Sequence, residues 1–176
     1  VFNNVSGLLT GLTEQISEEL SFHIDEINDK SKSLSRINQD ISASIDSNTK
    51  PLSLLDLRDK TLTELSELSS VNVKLGAAGE ATLRLGPELT SRVIVKGNTS
   101  IKLGTKEING LTEIITENGN RITGINGGKI KGLMDALRVT QTTNSELDTL
   151  VRNIVSLFNN GHKQGLDLNG NVGKNI

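Results

Sequence analysis

The hydrophobic pattern of the chain predicts a long helix at its start. Between residues 8 and 45, apolar side chains recur mostly three and four positions apart, which is the spacing of one helix face. This stripe, interrupted at Ser31, consists of Leu9, Leu12, Ile16, Leu20, Ile24, Ile27, Leu34, Ile37, Ile41 and Ile45. Such a helix measures about 55 Å, and a single apolar stripe on it needs a packing partner. The pattern therefore predicts a rod that packs against other helices.

A second, shorter helix is predicted for residues 53–68. The first helix should end near residues 46–48, because Pro51 disfavours helical backbone at the residue before it. Ser53 is the predicted N-cap of the second helix. Its predicted buried stripe consists of Leu55, Leu62, Leu65 and Leu68. The short connection predicts that the two helices run antiparallel as a helical hairpin.

From residue 71 the hydrophobic period changes to two, which predicts β-strands. Three hairpins are predicted, made by residues 71–75 with 81–85, 92–96 with 99–103, and 111–116 with 121–125. Together they predict a small antiparallel sheet or open barrel. The predicted core of this part consists of Val73, Leu83, Val93, Val95, Ile101, Ile115 and Ile122.

A third helix is predicted for residues 129–159, with Asn160 and Gly161 as its C-cap. The predicted fold class is α+β: an elongated bundle of long antiparallel helices, with a small antiparallel β domain inserted between the second and third helices. We expect a discontinuous helical rod domain made of residues 1–69 and 127–176. Residues 70–126 form the expected β domain.

Composition narrows the classes of function. Apolar residues make up 34% of the 176 residues, below the usual share of a globular domain, which favours an elongated or partner-dependent protein. The chain has no Trp or Tyr, which disfavours an aromatic ligand pocket. A net charge of −2 gives no basic footprint for nucleic acid. No apolar run approaches the ~18 residues of a membrane span, no secretory signal pattern opens the sequence, and the absence of Cys excludes disulfides.

Short motifs that could carry chemistry are incomplete. Residues 167–173 resemble the start of a calcium loop, but Val172 replaces the required glycine and no bidentate Glu follows. Residues 124–129, GINGGK, lack the first glycine of a phosphate loop, and Ile130 replaces its Ser or Thr. His23 and His162 are far apart, with no metal-ligand spacing around either. Asn98 begins a short glycosylation-type pattern. We predict no catalytic residue, no cofactor and no metal.

A charged cluster near the start of the second helix is the candidate structural motif. It comprises Leu55, Asp56, Arg58 and Asp59. Arg58 presents a planar fork that could pair with a carboxylate on the first or third helix. The alternative is a set of exposed helix charges, each pair worth about 0.5 kcal/mol.

Two stretches in combination resemble a known family. Residues 54–65, LLDLRDKTLTEL, follow a helix that contains IDEIN at 24–28 and LSRINQDI at 34–41. Residues 158–171, FNNGHKQGLDLNGN, occur at the end of the next long helix. In this order they resemble bacterial flagellar hook-associated protein 1 (FlgK), the family of hook–filament junction proteins, over nearly the whole chain. The family's terminal helical segments are missing and its β-rich region is often larger, so we expect a middle fragment with a minimal outer domain.

This resemblance implies a non-enzymatic structural subunit of the flagellum, at the junction between hook and filament. It implies partners: other copies in a ring, the hook protein, and second junction or filament proteins. It also implies an extracellular location reached by the flagellar type III export route without a cleaved signal. The alternative is a soluble helical-bundle binding or regulatory module that captures a partner helix. For the fragment alone, we expect a monomer or weak dimer.

Overall fold

The computed structural model describes residues 2–46, 51–86 and 91–164. It contains three helices and, between the second and third, a set of short antiparallel strands, which confirms the predicted α+β fold class. The helices are α1 (Phe2–Asp46), α2 (Leu52–Leu68) and α3 (Gly128–Gln164). The strands are β1 (Val71–Leu75), β2 (Ala81–Leu85), β3 (Arg92–Lys96), β4 (Thr99–Ser100), β5 (Leu103–Ile108) and β6 (Leu111–Thr116).

The chain divides into two compact units. The central unit is Gln15–Arg138, and it contains α2, all the strands and the adjoining parts of α1 and α3. The terminal unit combines the described residues of Val1–Glu14 and Val139–Ile176. We refer to them by these names below.

The helices differ from the predictions at their ends. Helix α1 starts at Phe2, six positions before the predicted start, because the glycines at its beginning are accommodated within the helix. Ser53 is not the N-cap of α2, so that prediction is wrong: Pro51 holds this position, and its carbonyl accepts from the N–H groups of Leu54 and Leu55. The C-cap predicted after residue 159 is also wrong, because α3 continues through Gly161 to Gln164. The predicted end of α1 at residues 47 and 48 lies outside the described residues.

The strands form two antiparallel sheets. Four strands are ordered β1-β2-β3-β4, and β5 pairs with β6. The first predicted hairpin is present. The second is shorter than predicted, because β4 ends at Ser100 and Leu103 begins β5. The third prediction is wrong: β6 pairs with the preceding strand, while Arg121 makes only an isolated bridge to Ile115. The turn between β5 and β6 is Asn109–Gly110, whose φ angles of 53° and 76° are those of a tight hairpin turn.

The predicted β core is correct for some strands and displaced by one residue in others. Leu83, Val95 and Ile122 are buried as predicted. Ile94 is buried beside Val95, because the register between β2 and β3 shifts at Leu83 and Arg84. In β6 the buried apolar residue is Ile114 and not the predicted Ile115, while Val73 in β1 is 36% exposed. Neighbouring residues of a strand point to opposite faces of the sheet, so an error of one position exchanges a buried side chain for its neighbour.

One hydrophobic core joins the helices and sheets of the central unit. Side chains from α1, α2, the strands and the start of α3 belong to a single cluster, which includes Leu20, Ile27, Leu65, Leu83, Ile114 and Leu137. The β part is thus not packed on a core of its own. It packs against the apolar stripe of α1, the same stripe from which this helix was predicted.

The chain enters and leaves the β part at one place. Ser70 N–H donates to Gly127 O at 3.2 Å, and Asn126 N–H donates to Ser70 Oγ at 3.3 Å. Gly128 has φ +79°, and a Cβ there would lie 2.5 Å from Leu68 O, so glycine is required where α3 begins beside the end of α2. Residues 70–126 thus leave and rejoin the helices at one place; that they form a separate domain stays a prediction.

Candidate functional site

Arg58 connects α2 to the first β-hairpin. Its side chain is 7% exposed, and Nη1 donates to Gly79 O in the turn between β1 and β2. Nε and Nη2 donate to Asp59 Oδ1 at 2.8 and 2.7 Å. The partners of this guanidinium are therefore a turn carbonyl and the adjacent aspartate, in place of the carboxylate on another helix that the sequence suggested.

The hairpin turn is shaped to receive this part of α2. Gly79 has φ +92°, and a Cβ there would lie 2.9 Å from Leu55 Cδ2 and 3.2 Å from Arg58 Nη1. Only glycine provides both the backbone conformation and the space. Asp56 lies on the exposed side of the helix. The predicted structural motif thus divides into Leu55 and Arg58, which contact the turn, and the exposed Asp56 and Asp59.

Asn38 on α1 binds the backbone of the sheet. Its side chain is fully buried; Nδ2 donates to Ala81 O at 2.8 Å and to Gly97 O at 3.0 Å. Its Oδ1 accepts from Ala81 N–H at 2.7 Å. The amide thereby satisfies both backbone groups of Ala81, as a neighbouring strand would, and also reaches the turn between β3 and β4.

Asn28 makes the same contact nearer the start of α1. Nδ2 donates to Leu103 O at 3.0 Å, and Oδ1 accepts from Leu103 N–H at 2.8 Å. Asn28 and Asn38 each follow a buried isoleucine, Ile27 and Ile37. Each Ile–Asn pair of the family-like stretches therefore places one residue in the core and the next on the β backbone. Sequence reasoning missed this role; the repeated Ile–Asn was the available signal.

An ion pair joins α1 and α2 on their more exposed side. Lys30 Nζ lies 2.8 Å from Glu64 Oε2 and 3.6 Å from Glu26 Oε1. The hydrogen bond to Glu64 raises the pKa of Lys30, and Glu26 adds to the effect. The same bond from Lys30 lowers the pKa of Glu64.

The terminal unit presents apolar side chains to solvent. From α1 these are Phe2, Val5, Leu8 and Leu12; from α3 they are Val139, Leu150, Val155, Leu157 and Phe158. We call this set the terminal apolar surface. Leu8 and Leu157 are 75% and 73% exposed. Within the unit, Ser6 Oγ of α1 donates to Asn144 Oδ1 of α3 at 3.2 Å.

The remaining candidate residues and motifs lie on helices and turns of the fold or outside the described residues. His23 is 9% exposed, with Nδ1 3.2 Å from Glu26 Oε2, and His162 lies in the last turn of α3. Asn98 is exposed in the turn between β3 and β4, and the GINGGK stretch leads into α3. The calcium-loop-like residues 167–173 and the end of the 158–171 stretch lie outside the described residues.

The described residues show neither a metal-binding cluster nor a helix suited to a membrane. They contain no cluster of three or more His, Asp or Glu side chains arranged to hold a metal ion. None of the described helices combines the length and apolar character that a bilayer-spanning segment requires.

In the part of the chain that the structure describes, a small β part is inserted between α2 and α3 and is held by side chains of α1 and α2. The chain belongs to the family described as "Flagellar hook-associated protein FlgK helical domain", whose model matches residues 1–176. The resemblance inferred from the sequence is thus confirmed.

Individual relatives agree with this membership. Flagellar hook-associated protein 1 of Escherichia coli (strain K12) is 24% identical over 188 residues, covering 99% of this chain and 34% of that protein. Its counterpart in Salmonella typhimurium is 25% identical, covering 99% of this chain and 33% of that protein. The structure of the flagellar hook junction protein FlgK from Burkholderia pseudomallei has the same fold, with a TM-score of 0.78 at 21% identity over 99% of this chain and 33% of that one. The chain spans about a third of the length of the curated relatives it matches.

Proposed function

We propose that the chain is part of a structural subunit of the bacterial flagellum that joins hook and filament. Family membership carries the proposal, since the relatives are named as flagellar hook-associated proteins and the solved structure as a hook junction protein. The proposed partners are other copies in a ring, the hook protein, and second junction or filament proteins. The proposed location is the extracellular flagellum, reached by type III export without a cleaved signal, and no catalytic role is assigned.

The terminal apolar surface is the proposed lateral contact. It carries nine exposed large apolar side chains, and exposed apolar surface beyond scattered single residues marks interaction sites. A heterologous contact between identical subunits generates rings or helical lattices, which is what a junction requires. In contrast, the Asn28, Asn38 and Arg58 contacts lie inside the central unit and hold the β part at a fixed position on α1 and α2.

The test replaces exposed leucines in the full-length subunit. Leu8→Ser combined with Leu157→Ser should leave the secreted protein folded but prevent its incorporation, so that filaments detach from hooks. Attached filaments are counted by electron microscopy, and circular dichroism checks the fold. Phe22→Ser is the matched control, because Phe22 is 66% exposed but belongs to the central unit. Normal attachment with the double variant would contradict the proposed contact.

The alternative, a helical-bundle module that captures a partner helix, predicts a different result. Such a module would keep one oligomer size in the full-length chain at every concentration. Lateral assembly into rings or filaments, followed by light scattering, separates the two functions. A single size with no lateral assembly would favour the binding module.

A further inference from the structure

Strand β1 has an open edge. It is the first strand of the β1-β2-β3-β4 sheet, and in the part of the chain that the structure describes no strand pairs with its other side. Gly76 N–H donates to Glu80 O at 2.8 Å, and the register continues without a shift to Val71 opposite Leu85. Because hydrogen-bonded and non-hydrogen-bonded pairs alternate, the N–H and C=O groups of residues 71, 73 and 75 point away from β2.

Two of these residues, Val73 and Leu75, carry apolar side chains that the core leaves exposed. Val73 lies opposite Leu83, and Leu75 lies opposite Ala81, and both of these β2 partners are fully buried. Directly opposed residues share a face, so Val73 and Leu75 lie on the core face of the sheet. They are nevertheless 36% and 51% exposed. Natural sheets usually block such an edge with an inward charge, a proline or a bulge, and β1 has none of these on its core face.

We propose that β1 pairs antiparallel with β1 of a second copy of this chain, about a two-fold axis at Val73. In this register Val73 faces its own copy, and Val71 faces Leu75. Asn72 faces Lys74, so the lysines do not oppose each other. The outward backbone groups of residues 71, 73 and 75 would all be paired, and the apolar side chains of both copies would form one continuous strip. The strand is therefore complementary to itself, which selects a second copy over an unrelated peptide.

This contact is separate from the lateral contact proposed above. A two-fold interface closes on itself and produces dimers, whereas a ring needs a head-to-tail contact. It also uses only residues of the central unit. The expected result is a weak dimer of free subunits whose formation does not depend on the terminal apolar surface.

Cysteine cross-linking tests the register. The sequence contains no Cys, so Val73→Cys introduces a single thiol. In the proposed pair the two Val73 Cα atoms lie about 5.5 Å apart, within disulfide range. Leu75→Cys is the matched control: it lies on the same edge and is more exposed in the monomer, but its two copies would lie about 13 Å apart. Under mild oxidation of the 176-residue chain, Val73→Cys should cross-link at least tenfold faster than Leu75→Cys. Equal rates, or no cross-linking of Val73→Cys, would overturn the proposal.

A charge series gives a second measurement. Asn72→Glu places a carboxylate opposite each Lys74 and should tighten the dimer several-fold in sedimentation equilibrium. Asn72→Lys places like charges opposite each other and should weaken it by a similar factor. Changes in the same direction, or dimers lost with Leu157→Ser while both Asn72 variants leave them unchanged, would assign the contact to another surface.

Discussion

The central unit buries many of its apolar side chains, whereas the described part of the terminal unit leaves them at least partly exposed. In the central unit, Leu20, Leu65 and Leu83 are fully buried in a core shared by helices and sheets. Among the described residues of the terminal unit, no apolar side chain is buried, and Leu157 is 73% exposed. A helix pair without a buried apolar stripe gains little from its own packing. The central unit is therefore stabilised by a buried apolar core that the described part of the terminal unit lacks.

The central unit also holds buried polar side chains that are hydrogen-bonded. In the central unit, Asn38 and Arg58 are buried and bonded to backbone of the β part. Buried polar groups are costly unless bonded, so these contacts fix one position of the β part. Removing them should damage the central unit, whereas removing surface leucines of the terminal unit should damage assembly.

The largest expected effect is that of Asn38→Ala. This change removes three hydrogen bonds and leaves both backbone groups of the fully buried Ala81 without their partner. We expect the free energy of unfolding to fall by about 2–5 kcal/mol, from several unsatisfied groups at about 1–3 kcal/mol each. Urea unfolding followed by circular dichroism measures it.

Asn28→Ala is the matched control for Asn38→Ala. It removes the same kind of contact, to Leu103, but Asn28 is only partly buried, so water can replace part of what is lost. We expect a loss of about 1–2 kcal/mol. If the two variants were equally destabilised, burial would not be what makes the Asn38 contact strong.

Arg58→Ala should have an intermediate effect, lowering the free energy of unfolding by about 1–3 kcal/mol. The change removes the donor to Gly79 O, and a cavity opens where the guanidinium lies beside the turn. The urea midpoint is the measurement, as for Asn38.

Two variants test the origin of the Arg58 effect. Asp59→Ala removes the exposed partner and should cost no more than about 0.5 kcal/mol. Arg58→Lys keeps the charge but cannot supply the fork, so it should remain destabilised. An unchanged midpoint in Arg58→Ala would instead show that the contact between Arg58 and Gly79 O does not stabilise the central unit.

The fold followed from the sequence wherever one period extended over many residues. The α1 stripe and the alternation of β1 and β2 determined those elements, because packing agrees there with local preference. The third hairpin was predicted wrongly because residues 121–125 also alternate. The Asn109–Gly110 turn, a strong hairpin signal, was overlooked. The Asn109–Gly110 dipeptide, and not the hydrophobic alternation, therefore indicates that β5 pairs with β6.

The contacts that Arg58, Asn38 and Asn28 make were harder to predict from the sequence than the fold. Arg58 was identified as a structural residue, but its partner is a carbonyl of Gly79, and every residue offers a carbonyl. Likewise, nothing in the residue type of Ala81 or Leu103 indicates that Asn38 or Asn28 binds it. Contacts between a side chain and the backbone depend on where the strands lie in the fold. Composition and residue spacing therefore do not determine them.

The smallest expected effect concerns the partly exposed Lys30–Glu64 ion pair of the central unit. The pKa of Glu64 is lowered in the fold, so its contribution is present above its ordinary pKa and lost as the pH falls through the lowered value. The pKa of Lys30 is raised, so its contribution is present at neutral pH and lost only in strong alkali. Both contributions are therefore complete between about pH 5 and pH 10.

Glu64→Gln should remove this pair and shift the urea midpoint less than Arg58→Ala, since Glu64 is partly exposed and water screens the pair. The difference between wild type and variant should be constant from about pH 6 to pH 9 and should shrink below about pH 4, where the wild-type carboxylate takes up a proton. Glu67→Gln, an exposed glutamate on the same helix, is the control and should show no such pH dependence. A Glu64→Gln difference that grew on acidification would mean that the glutamate opposes the fold at neutral pH, and that the α1–α2 contact rests on its apolar side chains alone.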